Sequence, residues 1–461
     1  MKNKKRCFET CSFYDYTGME ARLEKMAAEG WMIERISSFG WVYRRIEPAR
    51  LHFAVTFYPK ASGFDPGLTE GQRAFQDYCR HTGWQPACTS AQMQIFCHEG
   101  EHPIPLETDP TVKADTIHRA AKRSFLPAYF LLLAVAVLQC ALFFIGIRND
   151  PIRILSSPSA PCTGVAWIIL FFLCASEITG YYRWHARAVK AAARGEFINT
   201  NGRSWRLRIL LFLIFPFVLY WLAAVLTTAP VSIRVITVFA FLYYAVALNA
   251  VILTIREFLK RRKAPRNVNR TVTLLSAVFL TLFLAGAILF AVLHSEGFGQ
   301  EEAGQETYEY NGRIWTVRQD ELPLTLEDLL EAPPASNLYI REHSGNESLL
   351  LGQYDMRQHP RFDAENFSEL PDLDYTITQI KFPALYQLCL RSLLGDPGMD
   401  SVWLESDAAP WGAREAYQLY GSDSRARNRY LLCYPNRIVE IGFSWEPAPD
   451  QMRAAGQKCG G

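Results

Sequence analysis

The sequence predicts an α+β domain made of two strand–helix–strand–strand units, a five-helix α transmembrane region, and a second α+β domain. Three observations lead to that architecture. The first is charge. The 461 residues carry a formal net charge of only +2, yet residues 1–124 hold 17 basic and 15 acidic side chains, residues 125–294 hold 17 and 4, and residues 295–461 hold 14 and 27. The second is hydropathy. Five apolar stretches, at 125–147, 163–182, 207–227, 235–255 and 272–294, fill the basic third. Each is about 20 residues or more, enough for a helix to cross a ~30 Å hydrocarbon core. The third is the alternation of Lys and Arg between those stretches. The approach to the first stretch and the second and fourth connections hold 18 basic residues, whereas the first and third connections hold 3. Basic connections stay cytoplasmic, so the N-terminus is expected inside, the C-terminus outside, and the chain in the cell membrane as a five-span protein.

The expected boundaries follow the charge and hydropathy: a domain at 1–110, a linker at 111–124, helices at 125–294, a juxtamembrane linker at 295–307, and an acidic domain at 308–461. A hydrophobic content of 49% with 13% aromatic residues excludes a disordered chain. No apolar run follows the charges of Met1–Arg6, so no cleavable signal peptide is expected.

Within 1–110, Thr17-Gly-Met-Glu20 has the spacing of a capping box, in which a hydroxyl and a carboxylate satisfy the first free amides of a helix. Met19, Leu23, Met26 and Ala27 recur at helical spacing, and Gly30 supplies a left-handed stop. Strands are expected at 31–36 and 41–46. The order then repeats: a capping box at Thr69-Glu-Gly-Gln72, a helical face with Phe75, Tyr78 and Cys79, a stop at Gly83, and a strand at 93–97. Gly30-Trp31 and Gly83-Trp84 lie 53 residues apart, as do Tyr43 and Phe96. Trp31 and Trp84 could stack a ligand, although a Trp directly after a helix stop is more often core. Asp15, Glu20, Glu24 and Glu29 read as a solvated helix face. Cys7, Cys11, Cys79, Cys88 and Cys97 lack metal-ligand spacing, and His98 and His102 sit at a strand end beside Pro103, so no metal or other cofactor is expected.

Tyr14-Asp15, the run Glu20-Ala-Arg-Leu-Glu-Lys-Met-Ala-Ala-Glu-Gly-Trp31, Phe39-Gly-Trp-Val-Tyr43 and Glu47-Pro48 together resemble the bacterial domain-of-unknown-function family numbered 2812. Its hallmark is an acidic helix ending Met-Ala-Ala-x-Gly-Trp, followed by a strand with a central aromatic. Gly83-Trp84 and Thr108-Asp109-Pro110-Thr-Val-Lys113 look like the second half and tail of that pattern. The resemblance covers roughly residues 8–115 and departs at Arg22-Leu23-Glu24, where members often have Trp-Leu-Asn. It implies that Gly30, Trp31, Tyr43, Gly83 and Trp84 are structural residues of the motif. It further implies membrane helices after the domain and, because such domains are often encoded beside PadR-type transcriptional regulators, a regulatory or signalling association. It brings no established chemistry.

Glu177 and Asn249 are the polar intramembrane candidates. Glu177 lies six residues before Arg183, where it can reach the interface or pair with a base such as Arg208; a proton or substrate role is the sharper alternative. Asn249 is expected to hold helices together. The basic connections could hold anionic lipid headgroups, but orientation alone already requires them. They carry no recognition motif and lie against the bilayer, so direct nucleic-acid binding is not expected.

In the acidic domain, Asn311-Gly312 marks a two-residue hairpin turn, residues 383–394 form an amphipathic helix stopped by Gly395, and 430–434 with 437–443 form a second hairpin. Cys389 and Cys433 are candidates for a disulfide in an oxidising compartment, with Cys459 left over. No GxSxG, HExxH, Walker or dinucleotide-binding pattern occurs, so an enzyme is not expected. The leading expectation is a bacterial membrane protein of sensory or regulatory type. Its partners would be the bilayer and a cytoplasmic regulator, with a signal or protein bound outside. A transporter or transporter accessory subunit is the alternative.

Overall fold

The structure is a computed structural model. It describes residues 3–7, 9, 11–37, 40–200, 209, 212, 213, 216, 218–220, 222, 223, 238, 243, 247–295, 306–364, 367, 369–395 and 401–460. The chain forms two compact units. One comprises Met1–Cys140, Val165–Leu219 and Ala229–Leu293; the other comprises Ala141–Gly164, Tyr220–Thr228 and His294–Gly461.

The first unit begins with β1 (Lys4–Cys7), α1 (Tyr16–Ala28), β2 (Trp31–Ser37) and β3 (Gly40–Arg45), and repeats that order in β4 (His52–Phe57), α2 (Glu70–His81), β5 (Gln85–Ser90) and β6 (Met93–His98). Each set makes a three-stranded antiparallel sheet with its last strand in the centre, ordered β1-β3-β2 and β4-β6-β5. The repeat extends to an irregularity. The register slips between Ile33 and Arg35 in β2 and between Pro86 and Cys88 in β5, and each of these positions is 53 residues from its counterpart. Gly30 and Gly83 hold φ of 83° and 86°, the left-handed conformation that ends each helix without a Cβ penalty. The helix of the first set packs on β4 as well as on β2. Leu23, Met26 and Ala27 therefore share one core with Ile33, Tyr43, Val55 and Ile95.

The N-cap of α1 differs from the expected one. Thr69 and Gln72 do form a capping box at α2, but α1 begins two residues earlier than Thr17 implied, with Asp15 as its cap accepting from the Gly18 amide. Thr17 is engaged elsewhere, bonding Asn199 and Thr200, and Glu20 accepts the Val55 amide at 2.9 Å. Tertiary partners thus took both side chains of the expected box.

After β6 come α3 (Pro110–Arg123), α4 (Phe125–Asn149), α5 (Pro151–Ser156), α6 (Ala160–Ala192), α7 (Leu248–Arg261) and α8 (Arg266–Ser295). Among the described residues three helices are long and apolar enough to cross a membrane: Phe125–Asn149, Ala160–Ala192 and Arg266–Phe290. The expected spans at 207–227 and 235–255 lie in part outside the described residues, with α7 covering the end of the latter. Only 6% of the apolar windows of α4 and α8 is buried by protein, against 33% for α6. Exposed apolar surface of that extent is what a hydrocarbon phase covers. α6 runs ten residues past its expected end at 182, and Tyr181, Trp184 and Ala188 enter the core of the N-terminal domain.

The second unit holds a two-stranded hairpin, β7 (Thr307–Tyr310) and β8 (Arg313–Thr316), whose turn uses positive φ at Asn311 and Gly312. A seven-stranded antiparallel sheet follows. Its strands are β9 (Tyr339–Glu347), β10 (Leu351–Pro360), β11 (Leu373–Ile380), β12 (Val402–Ser406), β13 (Glu415–Tyr420), β14 (Ala426–Cys433) and β15 (Arg437–Phe443). They are ordered β12-β13-β14-β15-β11-β10-β9. The chain thus winds inward from both edges and closes where β15 pairs with β11. One face packs under α10 (Pro449–Gly460), with Ala455 and Cys459 set among Trp411, Tyr434 and Val439. The other face packs under α9 (Tyr386–Gly395) and, unexpectedly, under α5. Ile152 and Leu155 of that short helix are buried with Leu351, Leu431 and Ile438, and Ser348 Oγ donates to the Leu155 carbonyl at 2.5 Å.

Candidate functional site

The most specific polar structure in the first unit lies where the start of α1 meets the C-terminal half of α6. Ser12 Oγ donates to Glu177 Oε2 at 2.9 Å in a buried setting. Glu177, expected to reach the interface or meet a base such as Arg208, is buried and accepts this bond from the N-terminal domain; Arg208 lies outside the described residues. Two residues on, Tyr14 stacks on Trp184 with centroids 5.5 Å apart and meets Tyr181 edge-on at 5.9 Å. Phe125, the first residue of α4, joins the same cluster. The His118 ring of α3 lies 2.6 Å from the Tyr181 hydroxyl and stacks on His185. Burial and the neighbouring His185 hold the His118 pKa below its ordinary value.

The next turn of α1 binds the segment after α6. Thr200 Oγ1 donates to Asp15 Oδ1 at 2.6 Å, the Thr200 amide donates to Thr17 Oγ1 at 2.9 Å, and the Tyr16 hydroxyl donates to the Ile198 carbonyl at 2.9 Å. The helix cap of the domain and the basic segment after α6 are thereby one hydrogen-bonded piece.

Beside this seam opens a cavity of about 410 Å³, lined by Tyr16, Glu20, His52, Thr56, Trp84 and Glu107 among others. Burial pushes the Glu20 carboxyl up to about 7, against the opposing pull of Lys113 and the Val55 amide. Glu107 is also raised by burial, opposed by Lys113, whose Nζ lies 3.3 Å from Glu107 Oε2 and 4.2 Å from the centre of the Tyr16 ring. Burial and the two glutamates push Tyr16 up to about 12. Thr56 Oγ1 is buried without a hydrogen-bond partner. A carboxyl raised to about 7 by burial, in the same lining as Lys113, gives a cavity whose charge can change near neutral pH.

The sequence-derived candidates are distributed as follows. Gly30 and Gly83 end helices, Tyr43 is fully buried in the main core, and Trp84 is buried with Cys79 and Phe96 while its indole N–H donates to the Ile104 carbonyl at 2.8 Å. Trp31 is half-buried between Lys5 and Arg45, which lie over its ring. Asn249 is exposed in the first turn of α7. Cys389 and Cys433 are buried free thiols in one cluster of the second unit, with the Tyr386 hydroxyl bonded to Cys433. Among the described residues no group of three or more His, Cys, Asp or Glu side chains could hold a metal ion. Ser12 and Thr200 had no signal in the sequence, because their partners lie about 165–185 positions away, while Asp15, expected on a solvated helix face, is buried as the α1 cap. The nearest hint was Tyr14-Asp15 itself, placed just before the helix.

Residues 15–129 match the profile of a family described as "Protein of unknown function (DUF2812)". The match runs from the α1 cap through the first turn of α4, and so includes α1, β2 and β3 of the first set, all of the second set and α3, but not β1. No curated protein and no solved structure matches the chain.

Proposed function

We propose that this is a multi-pass membrane protein of sensory or regulatory type, with five spans, a cytoplasmic N-terminal domain and an extracytoplasmic C-terminal domain. The inner domain would contact a cytoplasmic partner, of which a PadR-type transcriptional regulator is the named expectation, and the outer domain would bind a signal or protein. One observation carries the coupling role. The buried Ser12–Glu177 bond and the Tyr14–Tyr181–Trp184 cluster fasten the first helix of the domain to an apolar helix. Displacement of α6 therefore acts directly on α1, which is the physical requirement for a signal to pass between elements with two arrangements.

The proposed sidedness is supported by which connections touch which domain. The basic connections reach the N-terminal domain: Thr200 bonds Asp15, Arg266 donates to the Lys60 carbonyl, and Asn269 donates to the Phe64 carbonyl. The poorly basic connection between α4 and α6 packs instead, through α5, into the sheet of the second unit.

Crosslinking of the full chain in its native membrane tests the reading. A cytoplasmic regulator recovered on residues 1–122, with recovery reduced in Ser12→Ala/Glu177→Gln, is expected. Absence of any cytoplasmic partner, together with substrate-dependent flux in liposomes, would replace it with the transport reading.

A further inference from the structure

A second cavity in the first unit, of about 620 Å³, is separate from the one beside Glu20. It lies among residues 61–64, the β5–β6 turn, the first residues of α4 and the first turns of α8, and Arg123, Arg266 and Arg270 all line it. These arginines come from helices 143 residues apart in sequence. Two of them are held in place by consecutive carbonyls of one turn: Arg123 donates to Pro59 O at 3.2 Å and Arg266 to Lys60 O at 3.1 Å. Arg270 follows one helical turn after Arg266 and so shares its face.

The charge of this cluster is poorly matched by protein. Asp65 approaches Arg266 no closer than 3.9 Å, and both side chains reach solvent to different degrees. Glu9 also lines the cavity, but its carboxylate is bonded by Arg22 at 2.9 Å. Among the described residues no carboxylate lies within ion-pair distance of Arg123 or Arg270. Guanidiniums prefer planar or tetrahedral oxyanions that accept two hydrogen bonds at once. Ser62, Ser124 and Gln92 line the same cavity, with Ser124 Oγ donating to Gln92 Oε1 at 2.8 Å. Apart from Ser90, the remaining lining is mostly apolar or aromatic, including Phe13, Phe64, Phe125 and Tyr129. Phe125 and Tyr129 open one apolar helix, and Arg266 and Arg270 open another.

We infer that this cavity binds the phosphate headgroup of an anionic phospholipid, with its acyl chains along the exposed apolar faces of α4 and α8. Orientation by basic connections requires only their charge. It does not require three guanidiniums from distant helices to be gathered around one cavity with an aromatic wall. That gathering is what an amphiphile with a phosphate head and an apolar body matches. The inference rests on the membrane placement proposed above and is independent of the regulatory role.

The test uses the full chain in mild detergent, titrated with phosphatidylglycerol or phosphatidylcholine and read by native mass spectrometry. Alkaline extraction of native membranes is run first, so that failure of the membrane placement is seen separately. The expected result is one retained phosphatidylglycerol in preference to phosphatidylcholine, with each lost arginine weakening that preference about fivefold. Arg266→Gln/Arg270→Gln should therefore abolish most of it. Arg261→Gln/Arg262→Gln removes the same charge from residues that do not line the cavity and should leave the preference intact. Equal retention of the two lipids by the unaltered chain overturns the inference, as does equal loss in both double variants. Complete displacement of the lipid by millimolar inorganic phosphate would also overturn it, by assigning the cavity to a free anion.

Discussion

Glu20 shows how far a residue's role depends on partners that are distant in sequence. Its position one turn into an acidic helix reads as solvated, but it is half-buried in a cavity lined also by Pro105–Glu107 and Phe197–Asn199. Its pKa rises from 4.5 to about 7 through that burial, so the folded state binds this proton more tightly than the unfolded chain. The stabilising proton is fully present below about pH 4.5 and its contribution declines as pH rises towards 7. Glu20→Gln keeps an acceptor for the Val55 amide and removes the titration. It is expected to match the unaltered chain near pH 4.5 and to be more stable at pH 8, by of order 1–3 kcal/mol. Thermal unfolding of the detergent-solubilised chain across that range checks it; a parallel pH profile for the two proteins would be inconsistent with a buried, titrating Glu20. Gly30 and Gly83 were legible for the opposite reason. A left-handed stop is set by the glycine and its immediate neighbours, so the local sequence suffices.

Among the elements, those defined by short-range chemistry follow the sequence closely. The capping box at Thr69 and the Asn311-Gly312 turn each need only residues within four positions. The N-cap of α1 does not, because Thr17 and Glu20 found better partners at Asn199, Thr200 and Val55 than in each other. α5 is the larger case. Six residues between two apolar helices give no periodicity to read, and their burial is decided by a sheet about 200 positions later. Leu155→Ala should cost about 2–5 kcal/mol, as other buried leucine truncations do. The loss should be visible as increased proteolysis of residues 308–460 in the full chain. Leu138→Ala, on the exposed surface of α4, should leave that proteolysis unchanged. Equal sensitivity of the two variants would mean that α5 does not support the sheet.

At the scale of the molecule, the charge partition and the alternation of basic connections were available from the sequence because bilayer insertion is governed by local sums of charge and hydropathy. Trypsin added to intact cells should cut within 308–460 and spare 1–122; the reverse pattern would invert the proposed topology. The junction at Ser12, Tyr14 and Glu177 was not available in that way, since it depends on pairwise contacts across about 165 positions.

The docking of α5 also imposes an order on biosynthesis. Leu155 leaves the ribosome 193 residues before Ser348, an interval of about 10–40 s at 5–20 residues per second. Throughout that time Ile152 and Leu155 have no sheet to cover them. The second unit can complete its core only after the last strand, β15, has been made. Chains stalled or truncated before Ile438 would therefore leave Ile152 and Leu155 of this short helix without part of the sheet that buries them.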